Sequence, residues 1–577
     1  MPARFAGRII SHLAHESYRP STVEQIADQL RVNEEDVEIF LVAVAQLSEE
    51  EKLDVCDDER LRLPAYESET SGILKINRRG FGFVKPNQPT REGDLFIPKG
   101  EMLDAISGDR VRCRVLRRDE RKNRGRGVGD QARRSVSGRV LEIEERGRTH
   151  FAGRLFQKGR NWLVEPDGRE LKEPIIIRDP HVKSASAGDK VIIDIVMFPD
   201  EYGLGEGVIT EVLGEAGRPD VETRAIIETY GLATDFTEEM LDEARRAASS
   251  FDEEAAGDLG DREDLTDRYI FTIDPPDARD FDDAISISWD PDREEWELGV
   301  HIADVAHFVK EDSPLDREAL KRGNSVYLPR LVLPMLPEVL SNGVCSLQEG
   351  VPRFTKSAFI TLDNRGKVVH QRLARTIIRS AKRLTYLEAQ SLIDGDQKGA
   401  RRHARTEAIY DDNLMDALSH ANRLAKVIRK RRLADGMLVL SLPEFELVFN
   451  DDGHVVDAVP EDDAFTHTLI EMFMVEANEA VARTFAGLDV PLLRRTHPDP
   501  SFHDVSELRE YARIVGFNLP EEPDRTDIKS LLDATRDSPA SRAIHFSVLR
   551  TLTKATYSPA TIGHFALASG HYAHFTS

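Results

Sequence analysis

The chain has 577 residues, of which 40% are hydrophobic and 31% charged, with a formal charge of −25 at pH 7. That length allows about three to five domains with real cores, and no run approaches the ~18 consecutive apolar residues of a membrane span. The N-terminus lacks the basic, apolar and small-residue succession of a signal peptide, so a cytoplasmic protein without membrane contact is expected, and Cys56, Cys113 and Cys345 are too few and scattered for a disulfide framework or a zinc site.

Residues 1–66 carry apolar positions at helical spacing: Ile9, Leu13, Val23, Ile26, Leu30, Val37, Phe40, Val44 and Leu47. Ser21 with Glu24 reads as a capping box, and short helices around a Val32-Asn33 turn, closing on Leu53-Asp54-Val55 and Leu61-Arg62-Leu63, predict a winged helix-turn-helix. Its acids, at 34–36 and 49–51, oppose entry into a DNA groove and point to a protein-contact or accessory role.

An internal repeat of about eighty residues follows, Ala105-Ile106-Ser107-Gly108-Asp109-Arg110-Val111 returning as Ala185-Ser186-Ala187-Gly188-Asp189-Lys190-Val191. Each copy leads into alternating strands, which predicts two successive OB-type β-barrels over 67–136 and 137–216. The first contains Arg79-Gly80-Phe81-Gly82-Phe83-Val84 and Asp94-Leu95-Phe96-Ile97, which resemble the two RNA-binding motifs of cold-shock domains. Alternate aromatics on one strand face present Phe81, Phe83 and Phe96 as a base-stacking platform, with burial in the barrel core as the competing reading. The second copy offers Phe156 and Trp162 and is a weaker platform. Affinity for a polyanion comes largely from Lys and Arg, and the whole-chain charge opposes it. Residues 110–139 nevertheless concentrate a dozen basic residues against three acids, a local positive stretch or a basic linker.

Residues 217–265 read as an acidic helical connector. Beyond it, Ile273-Asp274-Pro275-Pro276-Asp277-Ala278-Arg279-Asp280-Phe281-Asp282-Asp283-Ala284-Ile285 places five carboxylates within ten residues. Two prolines exclude helix and predict a tight loop returning Asp274 beside Asp280. In an extended segment Asp280 and Asp282 share a face and Asp283 takes the other. Carboxylates this close raise one another's pKa unless a cation neutralises them, and an all-oxygen set suits Mg²⁺ or Mn²⁺. An EF-hand loop is excluded because Ala284 and Ile285 fill the fifth and sixth places counted from Asp280. A solvated acidic turn fits poorly with the interleaved Phe281 and the strand-like Ala284-Ile285-Ser286-Ile287. Further on, His301 and Asp304 have ligand chemistry, but their place in a buried strand and turn predicts structural hydrogen bonding.

The Asp-rich stretch resembles the signature of the ribonuclease II and ribonuclease R family of 3′-to-5′ exoribonucleases. So do His301-Ile302-Ala303-Asp304-Val305, Val326-Tyr327-Leu328-Pro329, Leu340-Ser341-Asn342-Gly343, Arg383-Leu384-Thr385-Tyr386, Leu469-Ile470-Glu471, Arg495-Thr496-His497 and the tail from Tyr557 to Ser577. The resemblance covers essentially the whole chain, and the N-terminal helical region points to its ribonuclease R branch. It implies a multidomain α+β protein: winged helix, two cold-shock/OB barrels, then a mixed α/β catalytic domain over 266–577. It also implies processive hydrolysis of single-stranded RNA with a free 3′ end to nucleoside 5′-monophosphates, with Asp274, Asp280, Asp282 and Asp283 as catalytic and metal residues of a two-magnesium site. Tyr327 matches a tyrosine that stacks on terminal bases, and Tyr386 and Glu471 match positions near the ribose.

Departures accompany the match. Met472 stands where a second acid is common, and Val439 or Leu440 where an aromatic is expected, which predicts a looser base clamp. The family pattern continues past Phe575-Thr576-Ser577 to a phosphate-binding arginine, a glutamate and an S1 domain. A fragment with slowed catalysis, and with Phe565, Leu567 and Phe575 exposed on tail helices, is therefore expected. The alternative is an RNA-binding scaffold or pseudoenzyme that holds RNA without cutting it.

Overall fold

The computed structural model describes residues 3–577 apart from 15–17, 31, 33–36, 57, 78, 118–135, 172, 180–183, 200–202, 258, 501 and 522. Asn33 of the expected Val32-Asn33 turn, the acids at 34–36 and the centre of the basic stretch lie outside the described residues. The chain divides into two compact units, 1–234 with 451–454, and 235–450 with 455–577.

The first unit begins with α1 (Ala3–Leu13), β1 (Ser21–Thr22), α2 (Val23–Gln29), α3 (Val37–Glu49), β2 (Asp54–Val55) and β3 (Arg60–Arg62), the strands pairing in the order β1-β3-β2. Phe5, Ile9, Ile26, Phe40 and Leu47 form its core. The capping box sits one residue later than expected. Thr22 and Gln25 exchange the two bonds, because Ser21 pairs with Leu61 in the sheet and spends its hydroxyl on the Arg19 carbonyl.

Strands β4 (Glu69–Ile76), β5 (Gly82–Pro86), β6 (Leu95–Ile97), β7 (Arg110–Arg117) and β8 (Val136–Glu145) form one sheet in the order β6-β5-β4-β7-β8. A second set closes into a barrel: β9 (His150–Lys158), β10 (Asn161–Pro166), β11 (Ile175–Ile177), β12 (Asp189–Met197) and β13 (Glu206–Glu215). The expected boundary after 136 moves to about 146, since β8 pairs with β7 along its length and belongs to the first β domain. The sequence repeat is one turn used twice. Asp109 accepts from the Ile106 amide and Asp189 from the Ser186 amide, at 2.9 and 2.8 Å. Gly108 and Gly188 supply left-handed backbone at φ 100° and 101°, and each donates to a strand carbonyl, of Leu74 and Leu155, at 2.8 Å.

The expected connector is not one element. α4 (Pro219–Tyr230) presses Val221 and Ala225 onto Ala152, Ile192 and Leu213 of the barrel, whereas α5 (Glu238–Ala256) buries Ala244 and Phe251 in the second unit. β14 (Glu263–Leu265), placed with the connector by sequence, is an edge strand of that unit's main sheet.

The sheet continues with β15 (Phe271–Asp274), β16 (Asp283–Asp290) and β17 (Glu295–Ala303). After α6 (Val305–Phe308), α7 (Pro314–Arg322) and the small hairpin β18 (Val326–Leu328) and β19 (Leu331–Leu333), it is completed by β20 (Pro352–Asp363), β21 (Val368–Arg379) and β22 (Lys382–Thr385). Its order is β14-β21-β20-β17-β16-β15-β22. Side chains alternate between faces: Ile285 joins the core beneath α8 (Tyr386–Ile393), α10 (Asp412–Ala434) and α11 (Phe465–Gly487), while Ala284 packs on the α5 side. Helix α9 (Gln397–His403), the hairpin β23 (Phe445–Phe449) and β24 (Val455–Pro460), and β25 (Arg494–Thr496) lie around this frame. The chain then runs through α12 (Phe502–Ile514), α13 (Arg525–Thr535) and α14 (Ser541–Thr551) to β26 (Thr556–Ser558).

After α14 the described residues form no helix, and the expected exposed tail is not observed. Phe565 is buried and Leu567 and Phe575 are half-buried, because the Asn478 side chain accepts from the Phe575 and Thr576 amides and holds the segment down. No helix among the described residues is long and apolar enough to cross a membrane.

Candidate active site

Parallel pairing of β15 with β22 puts Asp274 level with Thr385, so Tyr386, the first residue of α8, follows directly beside the acid. Thr385 and Glu388 form the capping box that starts this helix. The loop 275–282 then returns the chain to Asp283, the first residue of β16. Arg383 clamps it from β22, donating to the carbonyls of Ala278 and Pro276 at 3.2 and 3.4 Å with its guanidinium 4.4 Å from the centre of the Phe281 ring. Ser346 adds a bond to the Arg279 carbonyl at 2.7 Å.

Asp274 is 7% exposed, and its Oδ2 has no hydrogen-bond partner. Burial pushes its carboxyl up to about 7, with Asp282 and Asp280 adding repulsion and the Thr272 hydroxyl and Arg383 opposing. Asp283 is raised well above the usual carboxylate range by burial and by Asp282 and Asp274, so it joins the cluster instead of facing away as strict alternation predicts. Asp282 has an exposed side chain, and crowding by protein atoms with the neighbouring Asp280 raises it to about 6. Asp280 is exposed and accepts from the Tyr327 hydroxyl at 3.3 Å. As placed, no three His, Cys, Asp or Glu side chains among the described residues converge on a single ion. The donor set still fits a hard cation: four acidic side chains acting on one another, one with a buried oxygen lacking any partner, a state that positive charge relieves.

Tyr386 is half-buried, its phenol pushed up to about 12 by burial and by Asp283, Asp274 and Asp282. His467 of α11 stacks on it, ring centres 3.9 Å apart and planes 25° apart, and is bonded to Asp462 at 3.0 Å. Neither Arg383 nor His467 was singled out as a site residue from sequence; the Arg383-Leu384-Thr385-Tyr386 match contained the first, and nothing local marked the second. Glu471 lies one turn beyond His467 on the same face of α11, its carboxyl raised by desolvation against the opposing Arg429 and Arg432. Met472 is fully buried in the core, so that position faces away from the acids. Tyr327 is 69% exposed on β18.

His301 is fully buried between the hydroxyls of Ser286 and Ser357, at 3.0 and 2.7 Å, and burial lowers it to about 3. Asp304 pairs with Arg262 at 2.6 Å and Lys356 at 2.8 Å. Both spend their polar atoms on neighbours within the fold, as expected of structural hydrogen bonding. In the first unit Phe83 opposes Phe96 across β5 and β6, and Phe81 completes a triad with ring centres 5.4–5.8 Å apart. All three are half-buried, while Leu74, Val84, Leu95 and Ile97 fill the core on the other face.

Comparison with known proteins gives the class first: residues 262–577 match the RNB domain, 72–129 the ribonuclease B OB domain and 163–237 the cold shock domain. Ribonuclease R of Thermotoga maritima is 35% identical over 76% of this chain and 61% of its own length, and ribonuclease R 2 of Lactococcus lactis is 30% identical over 89% and 75%. The structure of Mycoplasma genitalium RNase R in complex with ribose-methylated single-stranded RNA superposes with a TM-score of 0.75 at 28% identity, covering 88% of this chain and 76% of that one. The chain belongs to the ribonuclease R family. It spans about three fifths to three quarters of the length of these curated relatives.

Proposed function

We propose that the chain is a 3′-to-5′ exoribonuclease that degrades single-stranded RNA processively to nucleoside 5′-monophosphates. The observation that carries this reading is the acid edge of the main sheet, where Asp274 is buried with an unpartnered oxygen and Asp282 and Asp283 are raised beside it. Asp274, Asp280, Asp282 and Asp283 would hold two divalent cations, Mg²⁺ or Mn²⁺, which supply the charge that activates water and stabilises the leaving 3′-oxygen in an in-line displacement.

The chain's own side chains position the strand. The stacked Tyr386 and His467 offer a polar-edged wall beside the acids, and the exposed Tyr327 ring offers a face for a terminal base. Glu471, on the His467 face of α11, is suited to accept from a ribose 2′-hydroxyl, which DNA lacks. Arg383 fixes the acid loop through its carbonyls and tempers the charge on Asp274. Phe81, Phe83 and Phe96 give a sequence-tolerant stacking platform that retains the strand between cuts. The binding of single-stranded RNA by the Mycoplasma relative supports that substrate. The N-terminal element order fits a winged helix, for which we retain a protein-contact role, in a cytoplasmic enzyme.

The test is single-turnover incubation of the chain, in excess, with a 5′-labelled, 3′-tailed RNA and Mg²⁺. A ladder shortening from the 3′ end with release of 5′-monophosphates is expected. Asp282→Asn should lower that rate about a hundredfold or more while RNA affinity stays within about threefold. RNA that is bound yet intact would establish the scaffold reading instead.

A further inference from the structure

We propose that the second unit carries a separate binding pocket for a nucleoside phosphate, built on the cross-strand pair Trp289 and Trp296. The two indoles face each other across β16 and β17, ring centres 4.3 Å apart and planes at 49°. A cavity of about 500 Å³ opens beside them, a volume in the range of small-molecule sites. Trp289, Trp296 and Val427 give it an apolar floor, Arg423 and Lys426 of α10 line one side, and Asn364 and Glu294 lie at the hairpin turns opposite.

Three features point to the ligand class. Trp296 is 3% exposed, and its indole nitrogen has no hydrogen-bond partner, although a buried indole N–H ordinarily finds an acceptor. That nitrogen is closed off from solvent, so a ligand oxygen reaches it only where the surrounding side chains shift on binding. Arg423 and Lys426 are both exposed, one turn apart, and neither has an ion-pair partner among the described residues. The Arg423 guanidinium stands 5.9 Å from the centre of each indole, so one cation borders the π floor itself, while the Lys426 ammonium lies 5.4 Å from the centre of the Phe465 ring. The one carboxylate lining the cavity, Glu294, is engaged by the Asn364 amide at 2.8 Å.

The half-buried Trp289 ring, two cations without an ion-pair partner and an unpartnered indole N–H together match a ligand with a planar ring and an anionic group. A nucleoside phosphate has both. It can arrive as one nucleotide of a bound RNA strand or as a free nucleoside monophosphate, and the chemistry of the pocket is common to the two. Six residues of extended β16 separate Trp289 from Asp283, about 20 Å, so this is not part of the acid site. The proposal does not rest on the hydrolytic reading, and its test needs no divalent cation.

The chain holds three tryptophans, so Trp162→Phe leaves Trp289 and Trp296 as the only indole emitters. In that background, with EDTA, emission is titrated with adenosine 5′-monophosphate and, separately, with a short oligoadenylate. Saturable quenching by either is expected, weakened at least tenfold by Arg423→Ala with Lys426→Ala, two exposed positions whose loss should leave circular dichroism unchanged. Quenching by the monophosphate alone would assign the pocket to free nucleotide; quenching by the oligomer alone would assign it to a strand. No response to either ligand, or an equal response from a folded double variant, would overturn the proposal.

Discussion

Two clusters of polar side chains lie on the main sheet of the second unit, and they differ in how they are satisfied. Around His301 opposite groups meet: Ser286 and Ser357 hold the imidazole, Thr376 bonds to Ser357 and Thr355, and Arg262 with Lys356 neutralises Asp304, whose Oδ1 has the Lys356 ion pair but no hydrogen bond. Around Asp274 the acids are set against one another, Arg383 is the one cation with a resolved influence, and one oxygen is left without a partner. Satisfied networks fix a fold, whereas an unsatisfied like-charged cluster destabilises it and persists where its chemistry is used. The same short stretch of sheet therefore carries a charge-balanced cluster and a like-charged one, and the second is the cluster proposed to act on RNA.

Substitutions should pull the two apart. The largest effect on folding is expected from Asp304→Ala, which strands Arg262, itself almost fully buried. Loss of one partner of a buried pair typically costs about 3–5 kcal/mol, to be read from denaturant unfolding of the second unit. A loss below about 1 kcal/mol would show that the network is not what fixes this corner of the sheet.

The first unit offers the apolar form of the same contrast, core residues against half-exposed rings. Phe81→Ala with Phe83→Ala should leave the β domain folded, since Leu74, Val84, Leu95 and Ile97 remain, and should weaken single-stranded RNA binding by about 1–3 kcal/mol per lost stack, equally across sequences. Unfolding, or unchanged affinity in a folded variant, would return the rings to a structural role.

The meeting of the acids was legible because these residues are nearly contiguous, and the grouping of Phe81, Phe83 and Phe96 because alternation in a strand is a local signal. The structural role of His301 was legible for the same reason, from its place in an apolar strand. What was not legible depends on pairing between distant segments. Arg383 meets the acid loop only because β22 runs parallel to β15 across more than a hundred residues, and His467 reaches Tyr386 only because α11 packs there. The boundary at 136 was misread because β8 returns to the first sheet after a long interruption, which no local pattern announces. The capping box was displaced by one residue because Ser21 had a better use in a strand, and alternation failed at Asp283 because a loop, not a continuous strand, leads into it.

The claim that the acid cluster is held against the stability of the fold can be tested by one measurement, urea unfolding of the metal-free protein at pH 5 and pH 8. Trp289 and Trp296 report the second unit in a Trp162→Phe background, and the parent is compared with Asp274→Asn. Burial and the neighbouring acids push the Asp274 carboxyl up to about 7 in the fold, against about 3.9 for an unfolded chain, so the folded protein holds the extra proton and loses stability as pH rises through that window. Replacing the carboxyl with an amide removes that loss. The account predicts that Asp274→Asn is the more stable form at pH 8, by about 2 kcal/mol or more, that the difference shrinks at pH 5, and that Mg²⁺ stabilises the parent far more than the variant. A variant less stable than the parent at pH 8 without metal would contradict it, because Asp274 would then be satisfied by the fold itself.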